Sequence, residues 1–325
     1  SNSTEMEVET ASSTEYDTLS SNSTEMEVET ESSPLSSNST EMEVETASST
    51  ESRPLSSNVV DGTEMEIETE SETCYTIKIY NDTIENYIDN QSKFDDKTIL
   101  IPALNDKPTE DKSLSEKVFD KFLNKYISKF NNRSKEYKIE HFNLYEDVIH
   151  IYKNGNSNIY DHHLINNSSP RQSQLIFIPV KIHFVNNAHY NVLIIDKKKK
   201  MFTYYEPYGD YLDIHMGSRV NESLEKIKDY LLQKYPDYTY IDAHITNKDK
   251  DLGVQKRAED FFHISEGYCV AWCLYLCYIR MFNCHLNTKF SISTILNKVF
   301  EEYTDLNLIA AIRIFITFVK REVSK

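Results

Sequence analysis

Glycine is scarce in this chain: only six of its 325 residues are glycine. Neither the dinucleotide-binding pattern G-x-G-x-x-G nor the phosphate-binding pattern G-x-x-x-x-G-K-[ST] occurs, which excludes nucleotide sites built on those motifs. Long apolar runs are also absent, since none reaches the ~18 residues that a transmembrane helix needs. The best candidate, residues 306–319, contains Asn307 and Arg313 and predicts a buried helix, so we expect no membrane partner.

The cysteines do not follow a metal-binding pattern. No C-x-x-C pair and no H-E-x-x-H motif occurs, so a zinc ribbon or a zincin is not supported, and we expect neither a metal nor a cofactor. Four of the five cysteines lie in one apolar stretch, unlike the spaced loop cysteines of secreted domains. We therefore expect free thiols in a reducing, intracellular compartment.

The formal net charge of −17 is concentrated in the N-terminal part of the chain. Residues 1–72 contain 19 acidic residues and a single basic one, Arg53, whereas residues 73–325 contain 33 acidic and 34 basic residues. A protein that is acidic throughout would suggest a nucleic-acid mimic or a binder of basic partners. An acidic tail on a nearly neutral globule does not, and we expect no nucleic-acid substrate.

The acidic tail is built from a repeat. SNSTEMEVET begins at Ser1, Ser21 and Ser37, and a degraded copy, SNVVDGTEMEIET, begins at Ser57. With one aromatic residue in 72, the segment cannot bury enough apolar surface to offset the entropy cost of ordering it, so we predict disorder throughout residues 1–72. The tail either docks a partner or carries phosphorylated threonines, or it is a solubilising segment expanded by repeat slippage. Its deletion should leave the fold intact.

The globule divides into an N-terminal extension, residues 73–174, and a core, residues 175–325. In the extension we predict a strand at 98–104 and a helix that follows an N-cap at Ser113. In the core, the predicted elements are strands, an amphipathic helix and a helix that is apolar on every face: residues 175–184, 190–196, 201–207, 223–232, 238–245 and 266–279. The charged run Lys197–Lys200 between two strands indicates a solvated hairpin turn rather than a nucleic-acid patch.

Four residues of the core have the order and the context that thiol catalysis needs. Cys269 lies at the start of the apolar helix, where the helix N-terminus favours a thiolate. His189 precedes an apolar strand, and Glu206 ends the next strand, so the two can meet across a hairpin as a base and the carboxylate that orients it. Gln255 lies in a loop before Cys269 and offers an amide to a developing oxyanion.

Three of the six glycines accompany these residues. Gly209, Gly253 and Gly267 stand within three residues of Glu206, Gln255 and Cys269. In a chain so poor in glycine, this placement predicts backbone conformations that other residues cannot adopt.

The same segments carry a resemblance to a known family. The motifs are Ala188–Asp196 (AHYNVLIID), Tyr204–Gly209 (YYEPYG), Gly253–Gln255 (GVQ) and Gly267–Trp272 (GYCVAW). Together they resemble the adenovirus-protease and Ulp-type cysteine peptidase superfamily, especially its members encoded by large DNA viruses. The resemblance covers about residues 175–283, and residues 73–174 match nothing that we can name.

The resemblance implies a papain-like α+β fold in which a mixed sheet packs on the buried helix that carries Cys269. It implies His189 as base, Glu206 as orienting carboxylate, Gln255 in the oxyanion hole and Cys269 as nucleophile. It also implies cleavage after Gly-Gly-like or Gly-X-Gly-like sites, in viral precursor proteins or in ubiquitin-like (SUMO or ubiquitin) conjugates. The compartment would then be the host cytoplasm, the nucleus or the virion.

Two other functions stay open at this point. An acyltransferase could use the same thiol, because an amine can resolve an acyl-enzyme in place of water. A catalytically silent interaction module could keep the fold and dock through the acidic tail, although the presence of all four residue types argues against decay. The substrate, the oligomeric state and the need for a peptide or nucleic-acid activator are not determined by the sequence.

Overall fold

The computed structural model describes a set of segments that lie in one compact unit, Ser52–Lys325. The described residues are 64–68, 74–110, 113–135, 137–144, 149–152, 156, 173–184, 188–209, 218–244, 246–247, 252–257, 268–286, 300 and 305–325. No helix in this part of the chain is both long enough and apolar enough to cross a membrane.

The described segments form eleven strands and five α-helices. The strands are β1 (Glu64–Glu68), β2 (Cys74–Tyr80), β3 (Thr98–Pro102), β4 (Ile139–His141), β5 (Ile149–Tyr152), β6 (Leu175–His183), β7 (Ala188–Asp196), β8 (Met201–Glu206), β9 (Thr239–His244), β10 (Thr246–Asn247) and β11 (Leu252–Gly253). The helices are α1 (Ile84–Asn90), α2 (Glu116–Arg133), α3 (Ser218–Lys234), α4 (Cys269–Met281) and α5 (Asp305–Ser324).

The largest sheet has six strands, with β4, β6, β7, β8 and β9 in that order and β5 also paired with β6. The hairpin of β6 and β7 is antiparallel over nine residue pairs, from Leu175 opposite Asp196 to His183 opposite Ala188. β7 and β8 form a second hairpin, whose turn is the charged run 197–200 predicted from the sequence. β9 is parallel to β8, and β4 and β5 are parallel to β6. The mixed sheet and the helices confirm the predicted α+β class.

Helix α4 is the centre of the core. All thirteen of its residues are buried, which explains why its sequence is apolar on every face. Aromatic contacts join it to its neighbours: the Tyr278 ring lies 5.5 Å from that of Phe122 in α2, and the Tyr275 ring lies 4.6 Å from that of Phe315 in α5. The predicted buried helix is therefore confirmed, with its first turn at Cys269.

Helix α2 begins two residues later than predicted. Its N-cap is Ser115, whose side chain accepts a hydrogen bond from the backbone N–H of Val118, so the assignment of the cap to Ser113 is wrong. The reason is the packing of Leu114, which is buried together with Phe119 in one cluster. These two residues flank the cap as a hydrophobic staple, and burying Leu114 fixes the point where the helix starts.

The other predicted elements are present with shifted ends. The strand predicted at 98–104 is β3, and the strand predicted at 238–245 is β9. The helix predicted at 223–232 extends over the whole of α3, and the closing helix predicted at 306–319 is α5.

Strand β1 lies inside the segment predicted to be disordered. It is antiparallel to β2, with Glu64 opposite Lys78 and Glu68 opposite Cys74. Residues 64–68 therefore depart from the predicted disorder, whereas the expectation that deletion of residues 1–72 leaves the fold intact stays a prediction. A segment with few apolar side chains can still form a strand by backbone pairing with a neighbouring strand, as β1 does with β2. Residues 1–63 and 69–72 lie outside the described residues.

Candidate active site

The two strands of the second hairpin bring His189 and Glu206 to one place. His189 is the second residue of β7, and Glu206 is the last residue of β8. Leu193 lies opposite Tyr204 in the register of this hairpin. Because side chains alternate along a strand, His189 shares a face with Leu193, and Glu206 shares it with Tyr204. The hairpin therefore places both side chains on the same face at the end away from its turn.

The imidazole and the carboxylate form a short hydrogen bond. His189 Nε2 lies 2.6 Å from Glu206 Oε1, and the two residues are 4% and 6% exposed. A carboxylate can only accept, so Nε2 carries the hydrogen and Nδ1 is the ring nitrogen left for another partner. The backbone N–H of Tyr208 donates to the same Oε1 at 2.7 Å, and the Tyr208 ring packs edge-on against His189 with centroids 4.7 Å apart. These contacts fix both the tautomer and the orientation of the ring.

The surroundings of His189 favour its protonated form. Burial alone would lower its pKa, but the charge of Glu206 and a hydrogen bond with the side chain of Cys269 outweigh burial and raise the pKa to about 10. The imidazole is thus in contact with both the carboxylate and the thiol. The structure places three of the four residues predicted for the site together.

Cys269 is the first residue of α4, directly after the N-cap Tyr268. The unpaired N–H groups of a helix N-terminus create a positive potential at this position. The residue is 5% exposed. Arg313 of α5 donates from Nε to the Tyr268 hydroxyl at 3.3 Å, which ties the residue before the thiol to the closing helix.

The deeper cysteines of α4 have a different environment. Cys273 and Cys277 lie one and two turns farther into the helix and are fully buried. Burial raises the pKa of both thiols well above the usual range, since the charged form is desolvated there. Cys273 Sγ donates to the backbone carbonyl of Tyr190 at 3.3 Å. These thiols pack the core, and Cys269 alone of the three contacts the imidazole.

Gln255 is anchored to the turn that follows Glu206. It lies in a helical turn at 254–257 and is fully buried, and its backbone N–H donates to the Pro207 carbonyl at 3.1 Å. The N–H of Gly253 donates to the Tyr208 carbonyl at 2.7 Å. The residue that orients the imidazole and the predicted oxyanion donor therefore share one backbone scaffold.

Two of the three glycines near the site occupy positions that need glycine. A Cβ atom on Gly253 would lie 2.3 Å from the Pro207 oxygen and 2.4 Å from the Gly209 nitrogen, so the two backbones could not approach as they do. Gly209 has a φ of 69°, in the left-handed region that side chains disfavour. Both observations agree with the expectation from the sequence. Gly267 lies outside the described residues.

Sequence reasoning missed a contact from the N-terminal extension. The hydroxyl of Tyr190, the residue after His189, donates to Glu116 Oε1 at the start of α2, and Lys181 Nζ donates to the same oxygen at 2.9 Å. Glu116 and Tyr190 are 74 residues apart, so no local pattern could have revealed the pair. Tyr190 is thus tied to the N-terminal extension, residues 73–174.

The arrangement is suited to nucleophilic chemistry on an acyl group. It combines a thiol at a helix start, an imidazole beside it and a carboxylate that holds the imidazole, which are the parts of an activated nucleophile. Among the described residues, no group of three or more His, Cys, Asp or Glu side chains is placed to hold a metal ion.

No family model and no curated protein sequence matches the chain. Several solved structures are similar to it. They include ChlaDub1 from Chlamydia trachomatis (15% identity, 48% of this chain and 63% of that chain, TM-score 0.32). The SUMO protease Ulp1 is also similar (11% identity, 67% of this chain and 81% of that chain, TM-score 0.35). So is the effector RavZ of Legionella pneumophila (11% identity, 66% of this chain and 69% of that chain, TM-score 0.35).

The chain covers less than two thirds of the ChlaDub1 structure. Identities of 11–15% and TM-scores of 0.32–0.35 leave the function to be argued from the geometry of the site.

Proposed function

We propose that the chain is a cysteine peptidase or isopeptidase that uses Cys269 as its nucleophile. The observation that carries this proposal is the position of His189, which contacts the carboxylate of Glu206 on one side and the thiol of Cys269 on the other. A histidine that only packs in a core does not require both a buried carboxylate at 2.6 Å and a thiol at a helix start, whereas a catalytic base uses both.

The proposed reaction begins with proton transfer from the Cys269 thiol to His189. The raised pKa of the imidazole, about 10, favours this transfer, because the ring holds the proton while Glu206 stabilises its positive charge. The thiolate then attacks the carbonyl carbon of the scissile bond. As the tetrahedral intermediate collapses, the imidazolium gives its proton to the leaving amine, and an acyl-enzyme remains. His189 next takes a proton from water, whose oxygen displaces the thiolate and releases the acid.

The oxyanion that forms in each step needs donors in fixed positions. The N-terminal N–H groups of α4 are one source, since they lie next to the nucleophile. Gln255 is the second source that we propose, held by the hydrogen bonds of its turn to residues 207–208. A buried amide on a rigid turn loses little entropy when it binds the oxyanion, which is what preorganised donors require.

For the substrate we propose proteins with Gly-Gly-like or Gly-X-Gly-like cleavage sites, either ubiquitin-like conjugates or viral precursors. The resemblance of the motifs supports this choice. Two similar solved structures are complexes with such proteins, namely Ulp1 with Smt3 and Cdu1 with ubiquitin. Glycine at the cleavage site fits a nucleophile that is only 5% exposed, because a chain without side chains can reach it through a narrow opening.

Covalent capture tests this proposal directly. Ubiquitin and SUMO that end in a Gly-Gly vinyl sulfone should each be incubated with the full chain, and the adduct should be mapped by peptide mass spectrometry. We expect an adduct on Cys269 with at least one of the two probes and none with Cys269→Ala. Cys273→Ala is the matched control and should react as wild type does.

Three results would contradict the peptidase proposal. Adduct formation that survives in Cys269→Ala would assign the reaction to another thiol. No adduct with either probe, together with acetylation of Cys269 by acetyl-CoA, would favour the acyltransferase. No reaction of Cys269 with any of the three reagents would favour the silent interaction module.

A further inference from the structure

The outer edge of β2 is covered by a copy of the tail repeat. β1, with the sequence EMEIE, pairs with this edge over five residues, while β3 pairs with the other edge. Without β1, β2 would be an edge strand. Such an edge presents a row of backbone N–H and C=O groups to any strand of suitable sequence.

The upstream copies of the repeat contain almost the same strand sequence. EMEVE occupies residues 5–9, 25–29 and 41–45 and differs from β1 only by valine in place of Ile67. The two residues differ by a single methylene group. A site that accepts EMEIE by backbone pairing should therefore accept EMEVE as well.

The register of β1 shows why the repeat fits. Met65 and Ile67 hold the positions opposite Ile77 and Tyr75, which are both buried. The upstream copies have methionine and valine at these positions, so the same register again sets apolar residues opposite the buried side of β2. A slip by one residue would set glutamates there, which disfavours other registers. The glutamate equivalent to Glu64 would again stand opposite a lysine.

We propose that the outer edge of β2 is a docking site for this repeat, and that its partner is a second molecule of the same chain. A Glu-Met-Glu-Val-Glu strand of that molecule replaces β1 in the same register. Main-chain hydrogen bonds supply the affinity, and the alternate apolar positions supply the specificity. β1 is tethered to β2 by residues 69–73 only, which gives it the concentration advantage of an intramolecular competitor. We therefore expect replacement of β1 at high protein concentration, where each molecule offers three further copies of the strand sequence.

Cys74 allows the docking site to be tested in the unaltered chain. The peptide SNSTEMEVCT has cysteine at the position equivalent to Glu68, which lies opposite Cys74 in the β1 register. The peptide is activated as a mixed disulfide with thionitrobenzoate. The Cys74 thiolate then attacks the peptide sulfur, forms the interstrand disulfide and releases thionitrobenzoate. The control peptide SNSTCMEVET has its cysteine at the position equivalent to Glu64, opposite Lys78.

The readout is the rate of Cys74 modification, measured by peptide mass spectrometry. We expect SNSTEMEVCT to modify Cys74 at least ~10-fold faster than the control peptide, because only the register of β1 sets the two cysteines opposite each other. Equal rates would overturn the docking site.

A second experiment tests the identity of the partner. In the full chain, Met65→Pro together with Ile67→Pro removes two N–H groups from β1 and should release it from β2. We expect this variant to form dimers or larger species as its concentration rises, with slow amide exchange in β2. Met42→Pro together with Val44→Pro, in the third copy, is the matched control and should behave as wild type does. If the variant stayed monomeric with slow amide exchange in β2, the edge would be covered by a strand of its own chain. The proposal that the partner is a second molecule would then be wrong. A monomer with fast exchange at every concentration would overturn docking itself.

Discussion

His189 and Glu206 lie 17 residues apart in the chain, yet their side chains meet at 2.6 Å. The β7–β8 hairpin makes this contact, since it sets the second residue of one strand beside the last residue of the next. Both residues are buried, so the contact is shielded from solvent and its electrostatic effect is large. The strongly raised pKa of His189 is the consequence.

Glu206→Gln should keep the fold and reduce turnover by about 10- to 1,000-fold, less than Cys269→Ala does. The amide oxygen still accepts from Nε2, but it does not stabilise the imidazolium as a carboxylate would. The pKa of His189, now about 10, should fall toward its ordinary value of 6.5. We therefore expect the alkaline limb of the pH–rate profile to move to lower pH by about one unit or more.

The same substitution should alter the dependence of stability on pH. The folded-state pKa of His189 is above its unfolded value, so the pair stabilises the fold fully below pH 6.5 and this contribution is lost as pH rises through about 10. Thermal melts of wild type and Glu206→Gln should converge toward pH 10. Glu225→Gln, on the exposed side of α3, is the control. An unchanged rate profile in Glu206→Gln would mean that another group orients the imidazole.

Gly253→Ala should impair turnover more than it impairs stability. The new Cβ would meet the backbone of residues 207–209 at 2.3–2.4 Å, so the turn that carries Gln255 has to move away. A displacement of about 1 Å at a catalytic group can cost ~100-fold in rate. The checks are kcat on a small substrate and the melting temperature. A rate within a factor of two of wild type would remove Gln255 from the proposed oxyanion site.

Much of the candidate site follows from local sequence patterns. Alternating and apolar runs predict the hairpins, and the parity of a strand decides which residues share a face, so the meeting of His189 and Glu206 is predictable. A helix that is apolar all round has to be covered on all sides, which predicts the central place of α4 and the different surroundings of Cys269 and Cys273. In a chain so poor in glycine, a glycine beside a candidate site residue indicates a position where a side chain does not fit, as at Gly253.

The remaining features depend on partners that are distant in sequence. β1 has a composition typical of disorder, and only the β2 edge turns it into a strand. The cap of α2 is set by the burial of Leu114, which depends on the core and not on the capping pattern itself. The contact of Glu116 with Tyr190 joins two parts of the chain through their tertiary packing. Patterns with a period of two or 3.6 residues contain no information of this kind.

Tyr190→Phe and Glu116→Ala should test whether the N-terminal extension supports the site. Tyr190 follows His189 in β7, and its hydroxyl donates to Glu116, so either substitution frees the ring at the edge of the site. We expect each single variant to raise KM for a protein substrate several-fold with a smaller effect on kcat. The double variant should resemble the single ones, because both remove the same hydrogen bond. Additive losses would show that the two residues act independently.

Lys199 should make stability depend on pH. Burial and the charge of Arg280 lower its pKa from 10.5 to about 7, in spite of Asp196 at 3.7 Å. The folded state thus holds this proton less tightly than the unfolded chain, and stability should rise as pH rises from about 7 to 10.5. Lys199→Met should remove that rise and increase the melting temperature at pH 6–7 by about 2–4 °C. Lys198→Met, in the same turn, is the control and should retain the wild-type pH dependence.

Cys269 should react with alkylating agents before the other thiols of α4, and its lead should depend on His189. The imidazole shares a hydrogen bond with Cys269 and can take its proton, whereas burial raises the pKa of Cys273 and of Cys277. In brief iodoacetamide labelling at pH 6, read by peptide mass spectrometry, we expect Cys269 to label at least ~10-fold faster than either. The lead should collapse in His189→Ala, while Glu225→Gln should preserve it. If Cys269 labelled no faster than Cys273 in wild type, or at the same rate without His189, the imidazole would not activate the thiol, and the proposed peptidase would lose its nucleophile.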